Sequence, residues 1–436
     1  MANTYLTRTF ASAGTATKFT LSAWIKRSGI STQQTIMSRY VTANKYVKIL
    51  INNANQLEYG VYNNNQGGYQ ARYETSALFR DTSAWYHIVV AQDSSLGTAA
   101  DRVKFYINGN LVTSFATNTQ IGQNVAGDFN NATAHQIGAY NGADFFDGLI
   151  SHFHFCDNQQ YAASTFGSVD STTGEWKINT SPSVSYGTSG FLILKDGNTI
   201  TDQSANSNNW SSNGAGVTIT KDCPSNVCAT LNPLDNYYPA MTLSYGNTRA
   251  LTIAGKYTYI PTTLGMTSGK YYAEIKCTAQ SGSQNEFMIG ITSTSPSATT
   301  QELGHWSTDY AYNGVAGNYR NNDGNTSYGA SFTTGDIIGI AVDLDNNKLY
   351  FSKNGTFQNS GNPASGSTGT GAISITDPTL TSRGAYFFAV GYYSSSIIGT
   401  FDANFGNGYF GTTAITTNSG NGYAGAEGAS KFNYQP

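Results

Sequence analysis

The chain has 436 residues, of which only 11% are charged and 13% are aromatic, and its formal net charge is −3. The charged fraction is far below the usual value of about 25%. No basic stripe occurs, so the electrostatic footprint of a nucleic-acid-binding protein is excluded. The 30 tyrosines exclude a disordered polar chain, because such chains contain few aromatic residues. We expect two or three folded domains, with a polar surface that either binds sugars or proteins or packs permanently in an assembly.

Short runs of alternating side chains dominate the first half. Phe19 to Ile25 alternate large apolar with small or polar residues, which is the period of a half-buried strand. Asn108-Gly109 lies between two apolar runs and is typical of a type I′ hairpin turn. Another alternating run extends from Gly148 to Phe155, and we expect one short helical turn from Tyr161 to Phe166.

The second half shows the same strand pattern after a polar junction. Proline residues interrupt residues 222–239, which we interpret as the domain junction. Asp336 to Asp343 and Lys348 to Ser352 flank a polar turn and predict a hairpin. We therefore predict an all-β fold of two antiparallel β-sandwich domains, of the jelly-roll type, in tandem. The predicted segments are a sandwich at 1–221, the junction at 222–239, a second sandwich at 240–412 and a glycine-rich tail at 413–436.

Paired catalytic carboxylates are the first chemistry to seek in such a fold. Retaining glycoside hydrolysis needs two carboxyl groups about 5–5.5 Å apart, yet every glutamate is isolated in the sequence. Asp343 and Asp345 have a suitable spacing but flank a hairpin turn, where solvated residues are expected. We expect no enzyme activity, although the sequence leaves open a pair contributed by two strands. Cys223 and Cys228 are expected to be thiols, with a small loop disulfide as the alternative.

Three landmarks in the first half carry a resemblance to a known family. They are the strand Trp85 to Val90, the hairpin Asp101 to Gly109, and the pair of segments His135 to Gly138 and Phe146 to Gly148. In this order they resemble the laminin-G-like (concanavalin A-like) jelly roll. The run from Asp202 to Trp210 looks like a segment that such domains carry near their start. We therefore expect the chain to return there and complete the same sandwich.

The second half resembles a SPRY domain. The resemblance is carried by Gly269 to Glu274, Gly335 to Gly339, Phe351 to Gly355 and Phe401 to Phe405. It implies a two-sheet sandwich that recognises proteins through its loops. The pairing of the two domains across the junction at Cys228 to Asp235 is similar to virion proteins of marine bacteriophages.

The laminin-G-like resemblance also implies a candidate calcium site at a sandwich rim. Its candidate ligands are Asp128, Asn130, Asp144 and Asp147, which lie in suitable loops and offer the oxygen atoms that a hard cation prefers. The alternative is that these residues form Asx turns. We expect no cofactor, with Ca²⁺ as the one candidate.

Aromatic residues in the second half suggest a ligand-binding surface. Trp306, Tyr310, Tyr312, Tyr319 and Arg320 lie in a stretch rich in glycine and asparagine between predicted strands. Tyrosines in loops can stack on sugars or anchor a protein contact, because they bring a large area with little rotamer entropy. The alternative is that half of them cap the sandwich core.

The resemblance implies a virion surface protein, namely a tail-fibre or tail-associated adhesin that binds a host surface glycan or envelope protein. The alternative is a capsid decoration or structural accessory subunit with no ligand of its own. The expected partners are other virion proteins and further copies of the chain, with a trimer as our prediction; nucleic acid is not among them.

The expected location is the virion surface, on the tail or the capsid. The amino-terminal segment lacks the apolar region of a signal peptide, so we expect synthesis in the host cytoplasm without such a signal. No apolar stretch approaches the roughly 18–20 residues of a membrane span, and none is predicted.

Overall fold

The computed structural model describes residues 3–30, 32–195, 200–236, 240–254, 256–296, 301–392, 397–415, 423–424 and 430–434. The chain divides into two compact units: unit 1 is Met1–Ile219 with Cys223–Val227, and unit 2 is Thr220–Asp222 with Cys228–Pro436. Most of the predicted tail and residues 237–239 of the predicted junction lie outside the described residues. Within the described ranges, no helix is long and apolar enough to cross a membrane.

Unit 1 consists of short strands joined by turns. The strands are β1 (Tyr5–Thr9), β2 (Lys18–Arg27), β3 (Gln34–Thr42), β4 (Lys45–Ile51), β5 (Leu57–Asn63), β6 (Gly68–Thr75), β7 (Tyr86–Asp93), β8 (Val103–Ile107), β9 (Asn110–Leu111), β10 (Phe115–Thr119), β11 (Ala134–Ile137), β12 (Gly148–Asp157), β13 (Gly167–Val169), β14 (Trp176–Ile178), β15 (Phe191–Ile193) and β16 (Ser211–Asn213). Short 3-10 helices occur at Asn64–Gln66, Ala99–Asp101 and Ala163–Thr165. The last of these lies within the helical turn predicted at 161–166.

Two antiparallel sheets enclose the core of unit 1. One has the strand order β10-β6-β5-β4-β3-β11-β1-β16 and the other the order β15-β12-β2-β7-β8-β9. Alternate residues of each strand point inward, so that Val47 and Ile49 from the first sheet pack with Phe19, Leu21 and other apolar residues of the second. The two sheets therefore form a sandwich.

The chain returns to complete this sandwich, as predicted. After residues 202–210, β16 pairs with β1 through Tyr5 and Asn213. Trp210 is buried in the core, with its ring 4.9 Å from that of Phe191. The expectation drawn from the run Asp202 to Trp210 is confirmed.

Both sandwiches contain an Asn-Gly hairpin turn of the same design. Asn108 and Gly109 have φ of 45° and 83°, the left-handed values that a type I′ turn requires at both central positions. The Oδ1 atom of Asn108 accepts a hydrogen bond from the backbone N of His87 at 2.8 Å. In unit 2, Asn354 has φ of 49°, and its Oδ1 accepts from the backbone N of Ile337 at 2.9 Å.

A segment that we call the cover, residues 161–186, packs on the outer face of the six-stranded sheet of unit 1. Its Phe166 and Trp176 pack with Val89 of β7. The residues on either side of Val89 point into the core, so Val89 itself points outward. The His87 ring lies between Trp24, at 4.8 Å, and Trp176, at 5.9 Å. Trp176 Nε1 donates to His87 Nδ1 at 3.0 Å, and burial lowers the pKa of His87 to about 3.

Unit 2 has the same kind of architecture. Its strands are β17 (Thr242–Ser244), β18 (Arg249–Leu251), β19 (Thr258–Pro261), β20 (Lys270–Gln280), β21 (Phe287–Thr292), β22 (Asp309–Asn313), β23 (Asn318–Asn321), β24 (Gly324–Ser327), β25 (Ile337–Asp343), β26 (Lys348–Lys353), β27 (Thr356–Phe357), β28 (Ile373–Ser374), β29 (Phe387–Tyr392), β30 (Gly399–Asn404), β31 (Tyr409–Phe410), β32 (Thr413–Ala414), β33 (Tyr423–Ala424) and β34 (Lys431–Phe432). Its 3-10 helices are Pro233–Asp235, Gln358–Ser360, Pro363–Thr368 and Pro378–Leu380.

Two antiparallel sheets also form the sandwich of unit 2. The first has the order β17-β18-β30-β20-β25-β26-β27, with β28 paired to β26, and the second has the order β19-β29-β21-β22-β23-β24. Ile275 and Phe401 from the first sheet share a core with Ile289 and Val390 from the second. The predicted hairpin is present as β25 and β26. The predicted fold class, two antiparallel β-sandwiches in an all-β chain, is confirmed. Cys223 and Cys228 are thiols.

Candidate functional site

A charged and aromatic cluster lies at one end of the β22–β23 hairpin in unit 2. We call it the Trp306 surface and define it by Glu302, His305, Trp306, Arg320 and Asp323. Arg320 Nη2 lies 2.6 Å from Glu302 Oε1 and 2.8 Å from Asp323 Oδ1. His305 Nδ1 lies 2.9 Å from the same Asp323 oxygen. The Trp306 ring meets the His305 ring edge-on at 4.6 Å and remains 41% exposed.

The strand register explains which predicted residues reach this surface. Tyr312 pairs with Tyr319, and Ala311 pairs with Arg320. Successive residues of a strand point to opposite faces, so Tyr319 and Arg320 diverge. Of the five residues predicted to bind a ligand, only Trp306 and Arg320 belong to this cluster; Trp306 is exposed, whereas the Arg320 side chain is only 12% exposed.

Tyr310 and Tyr312 do not lie in a loop, contrary to the sequence interpretation. Both belong to β22, and both are buried in the core of unit 2. The Tyr312 ring stacks on Phe351 at 5.3 Å, and Tyr310 Oη accepts from the backbone N of Thr376 at 3.1 Å. Tyr319 is half-buried against the same core. The short strand escaped recognition because glycine and asparagine residues surround it.

Two features hold the loop that carries Trp306 in place. Asn321 Nδ2 donates to the carbonyl oxygens of Ser307 and Asp309, each at 2.9 Å. Gly304 has φ of 92°, and a Cβ there would lie 2.8 Å from the carbonyl oxygen of Arg320. Glycine thus permits both the left-handed conformation and the close approach of the two chain segments. The exposed tryptophan is therefore presented by a constrained loop.

A buried carboxyl group begins the strand behind this loop. The side chain of Asp309 is fully buried, and its Oδ1 accepts from Thr292 Oγ1 at 2.7 Å. Its backbone N donates to the carbonyl oxygen of Trp306 at 3.0 Å. Burial raises the pKa of Asp309 to about 7, because desolvation disfavours the charged carboxylate.

Among the four candidate calcium ligands in unit 1, the carboxylates of Asp128 and Asp144 are engaged with protein groups. The carboxylate of Asp128 lies 3.2 Å from Arg39 Nη1 and 3.3 Å from Lys45 Nζ. Asn130 Nδ2 donates to Asp157 Oδ1 at 2.8 Å. The carboxylate of Asp144 accepts from the side-chain amide of Gln33, and burial raises the pKa of Asp147. Asp128, Asn130 and Asp144 have positive φ, as Asx residues in turns often do.

Within the part of the chain that the structure describes, one group of three acidic or histidine side chains has metal-like spacing. It consists of Glu302, His305 and Asp323, whose ligand atoms lie within 4.8 Å of one another. The Arg320 guanidinium contacts both carboxylates, so an internal cation already neutralises part of their charge. We interpret the group as an ion-pair network. This network was not predicted from the sequence, because Asp323 is 18 residues from His305 and reaches it only through the β22–β23 hairpin.

Comparison with known proteins agrees with the two sandwiches. Residues 2–163 match the family described as the concanavalin A-like lectin/glucanases superfamily (Laminin_G_3), and residues 270–370 match the SPRY domain family. A Ran-binding proteins 9/10 homolog of Drosophila melanogaster is 37% identical over 89 residues, which are 20% of this chain and 9% of that relative. The chain thus spans a small part of that relative's length.

Solved structures match as well. The SPRY domain of human HERC1 is 18% identical with a TM-score of 0.31, covering 40% of this chain and 96% of that one. Stonustoxin is 18% identical with a TM-score of 0.29, covering 40% of this chain and 27% of that one. Laminin-G-like and SPRY domains are typically non-catalytic binding modules, and SPRY domains mediate protein–protein interactions. Residues 2–163 are thus similar to laminin-G-like (concanavalin A-like) domains and residues 270–370 to SPRY domains.

Proposed function

We propose that this chain is a non-catalytic binding protein whose SPRY domain contacts a protein partner through the Trp306 surface. The observation that carries the proposal is the 41% exposed Trp306 ring held against His305, which is linked through Asp323 to Arg320. Tryptophan, tyrosine and arginine dominate the energetics of protein interfaces, and a constrained loop loses little entropy on binding. The His305 contact and the bonds from Asn321 supply that constraint.

The proposed setting is the surface of a bacteriophage particle, where the chain acts as a tail-associated adhesin for a host envelope protein or glycan. The low charge and the abundance of tyrosine support a role in surface contacts. The chain is proposed to assemble with other virion proteins and with its own copies, as a trimer, after synthesis in the host cytoplasm. The second candidate is a capsid decoration subunit, which the low fraction of charged residues also favours, because a weakly charged surface suits permanent packing.

Binding of the fluorescently labelled full chain to intact host cells tests the adhesin proposal. Trp306→Ala should weaken binding by at least about tenfold, because a central tryptophan contributes roughly 2 kcal/mol or more. Leu380→Ala is the matched control, since Leu380 is 78% exposed on the same unit and lies outside the Trp306 surface. Equal binding by the tryptophan variant and the wild type would refute the proposed site.

Antibody labelling of intact particles in the electron microscope separates the two settings. Label on the tail supports adhesion, whereas label spread over the head supports decoration and contradicts the adhesin proposal.

A further inference from the structure

A short segment of the chain lies across the outer face of the first sheet of unit 2. We call residues 430–434 the docked segment. In β20, Ala273 and Ile275 belong to the core, so the intervening Glu274 points to the outer face. We call the surface around this carboxyl group the Glu274 site; its members are Tyr272, Glu274, Gly355 and Asn404.

The Glu274 site holds the docked segment mainly by its backbone. Glu274 Oε1 accepts from the backbone N of Tyr434 at 2.7 Å, and Oε2 accepts from the backbone N of Asn433 at 2.8 Å. Asn404 Nδ2 donates to Glu274 Oε2 at 3.0 Å and to the carbonyl oxygen of Lys431 at 2.9 Å. Burial raises the pKa of Glu274, and the two backbone donors oppose that rise, because they stabilise the charged carboxylate.

Two alternate side chains of the docked segment also contact the site. The Phe432 ring meets the Tyr272 ring edge-on at 5.1 Å and is 5% exposed. Tyr434 packs on Gly355, where a Cβ would collide with its ring. Recognition of an extended peptide commonly combines backbone hydrogen bonds with contacts to alternate side chains. The docked segment is therefore bound in the manner of a peptide ligand.

The sandwich of unit 2 is complete without the docked segment. Within the described ranges, the core of unit 2 contains no residue beyond Phe405, so Phe432 packs outside it. Departure of the segment would remove two donors from Glu274 and open its carboxyl group to water, but it would leave the core unchanged. The segment can thus leave the site while the fold persists.

A second copy of the chain carries an identical segment, which meets the same site with the same contacts. Exchange of an identical element between protomers is a low-cost route to association, because every contact that breaks is made again. The segment of the same chain competes at an effective concentration on the order of millimolar. A neighbouring copy therefore competes where many copies are crowded together.

We propose that the Glu274 site is a peptide-binding site that takes the docked segment of a neighbouring copy of this chain. Its ligand is an extended peptide with an aromatic residue followed by two residues that each have a backbone N–H. This inference deepens the proposed assembly of the chain with its own copies and rests on that function. The surface that it uses is distinct from the Trp306 surface.

A fluorescently labelled peptide of residues 421–436 tests the site, since it contains β33 and β34, which pair with each other. Its partner is the full chain with Phe432→Ala, which weakens the internal segment and keeps every member of the Glu274 site. We expect this variant to bind the peptide at least about tenfold more tightly than the wild type, whose own segment competes. Fluorescence anisotropy measures both affinities.

Substitutions in the peptide test the backbone contacts without altering the protein. Asn433→Pro in the peptide removes the N–H that Glu274 accepts. We expect about tenfold weaker binding of this peptide, because a hydrogen bond to a buried carboxylate is lost. Asn433→Ala in the peptide is the matched control, since it keeps the N–H, and it should bind nearly as well as the original.

Sedimentation of mixed full chains tests the exchange between copies. Glu274→Gln turns an amide NH2 group toward the backbone donors and weakens the site, but leaves the segment intact. Phe432→Ala weakens the segment and leaves the site intact. An equimolar mixture should therefore contain a larger species than either variant alone at the same total concentration. Thermal melting of both variants checks that the fold is intact.

Each result decides for or against the proposal. No peptide binding by the Phe432→Ala chain, or equal binding of the proline and alanine peptides, overturns the peptide site. Peptide binding without a larger species in the mixture overturns the assignment to a neighbouring copy. Wild-type chains that associate while the mixture gains nothing also overturn it, and they leave the proposed assembly standing on another surface. Host-cell binding by the Trp306→Ala chain is measured separately, so the two proposals fail independently.

Discussion

The buried carboxyl group of Asp309 makes the loop of the Trp306 surface sensitive to pH near neutrality. Its pKa of about 7 is above the value of about 4 in an unfolded chain. Between these values the folded protein holds a proton that the unfolded chain has lost. The contribution of this proton to the free energy of unfolding is fully present below about pH 4 and is lost as the pH rises through 7.

Asp309→Asn should remove this dependence. The amide keeps an oxygen to accept from Thr292 Oγ1 and never ionises. We expect the variant to exceed the wild type in free energy of unfolding by about 1–3 kcal/mol at pH 8.5, with a much smaller difference at pH 4. Urea unfolding of both proteins at the two pH values measures this. A difference independent of pH would show that Asp309 does not titrate in this range.

Calcium should leave the stability of unit 1 unchanged. The carboxylate of Asp128 already has Arg39 and Lys45 as counter-ions, and the carboxylate of Asp144 accepts a hydrogen bond from Gln33. We expect the melting temperature to agree within about 1 °C in millimolar calcium and in excess chelator, because only a ligand of the folded state shifts it. A clear rise with calcium would instead indicate that the rim loops rearrange to bind it.

The conformation of an individual residue could be predicted only where its immediate sequence neighbours determine it. The turn at Asn108-Gly109 follows from the preference of that dipeptide for positive φ. The pairing of Glu58 with Glu74 depends on strand register, which alternation alone does not determine over a separation of 16 residues. Which of the consecutive residues Tyr319 and Arg320 faces the core depends on register for the same reason.

At the scale of elements, the cover of unit 1 depends on histidines that remain uncharged. Burial lowers the pKa of both His87 and His154 to about 3, against about 6.5 in an unfolded chain. The unfolded chain therefore binds more protons between these values. The stability that these residues contribute is present above pH 6.5 and is lost as the pH falls toward 3.

We expect the cover to open before the rest of the chain in mild acid. Trp176 lies against one face of His87, and Tyr186 Oη lies 2.9 Å from His154 Nδ1, so protonation of either imidazole disturbs a contact of the cover. Hydrogen exchange of residues 163–178, corrected for intrinsic rates, should be faster at pH 4.5 than at pH 7. The hairpin of β25 and β26 provides the internal control. Unchanged protection of the cover would contradict the assignment.

The strands were largely predictable where apolar and polar residues alternate over a long run. Phe19 to Ile25 fall within β2, and Asp336 to Ser352 contain β25 and β26. The cover was not predicted, because its strands have three residues each and are fixed by packing on the sheet rather than by their own pattern.

At the scale of the whole molecule, each unit has its own hydrophobic core. Phe155 belongs to the core of unit 1 and Phe401 to that of unit 2, and both side chains are fully buried. Separate cores generally unfold as separate cooperative units. The division into two sandwiches was predictable, because composition and turn signals repeat along the chain on either side of a proline-containing junction.

Scanning calorimetry should therefore resolve two transitions. Phe155→Ala should lower the midpoint temperature of one transition, and Phe401→Ala that of the other. Each substitution should reduce the free energy of unfolding of its own unit by about 3–5 kcal/mol. The two substitutions are controls for each other. If either substitution lowered both transitions equally, the units would unfold as one.

The paired Asn-Gly turns also bear on how the protein ages. Asparagine before glycine is prone to deamidation, because the unhindered glycine nitrogen attacks the side-chain carbonyl to form a cyclic imide and then an isoaspartyl linkage. The side chains of Asn108 and Asn354 are each committed to a backbone amide of a neighbouring strand, which opposes the rotation that this attack requires. Folding thus protects both turns from this reaction, so partial unfolding of either hairpin would expose its asparagine to deamidation.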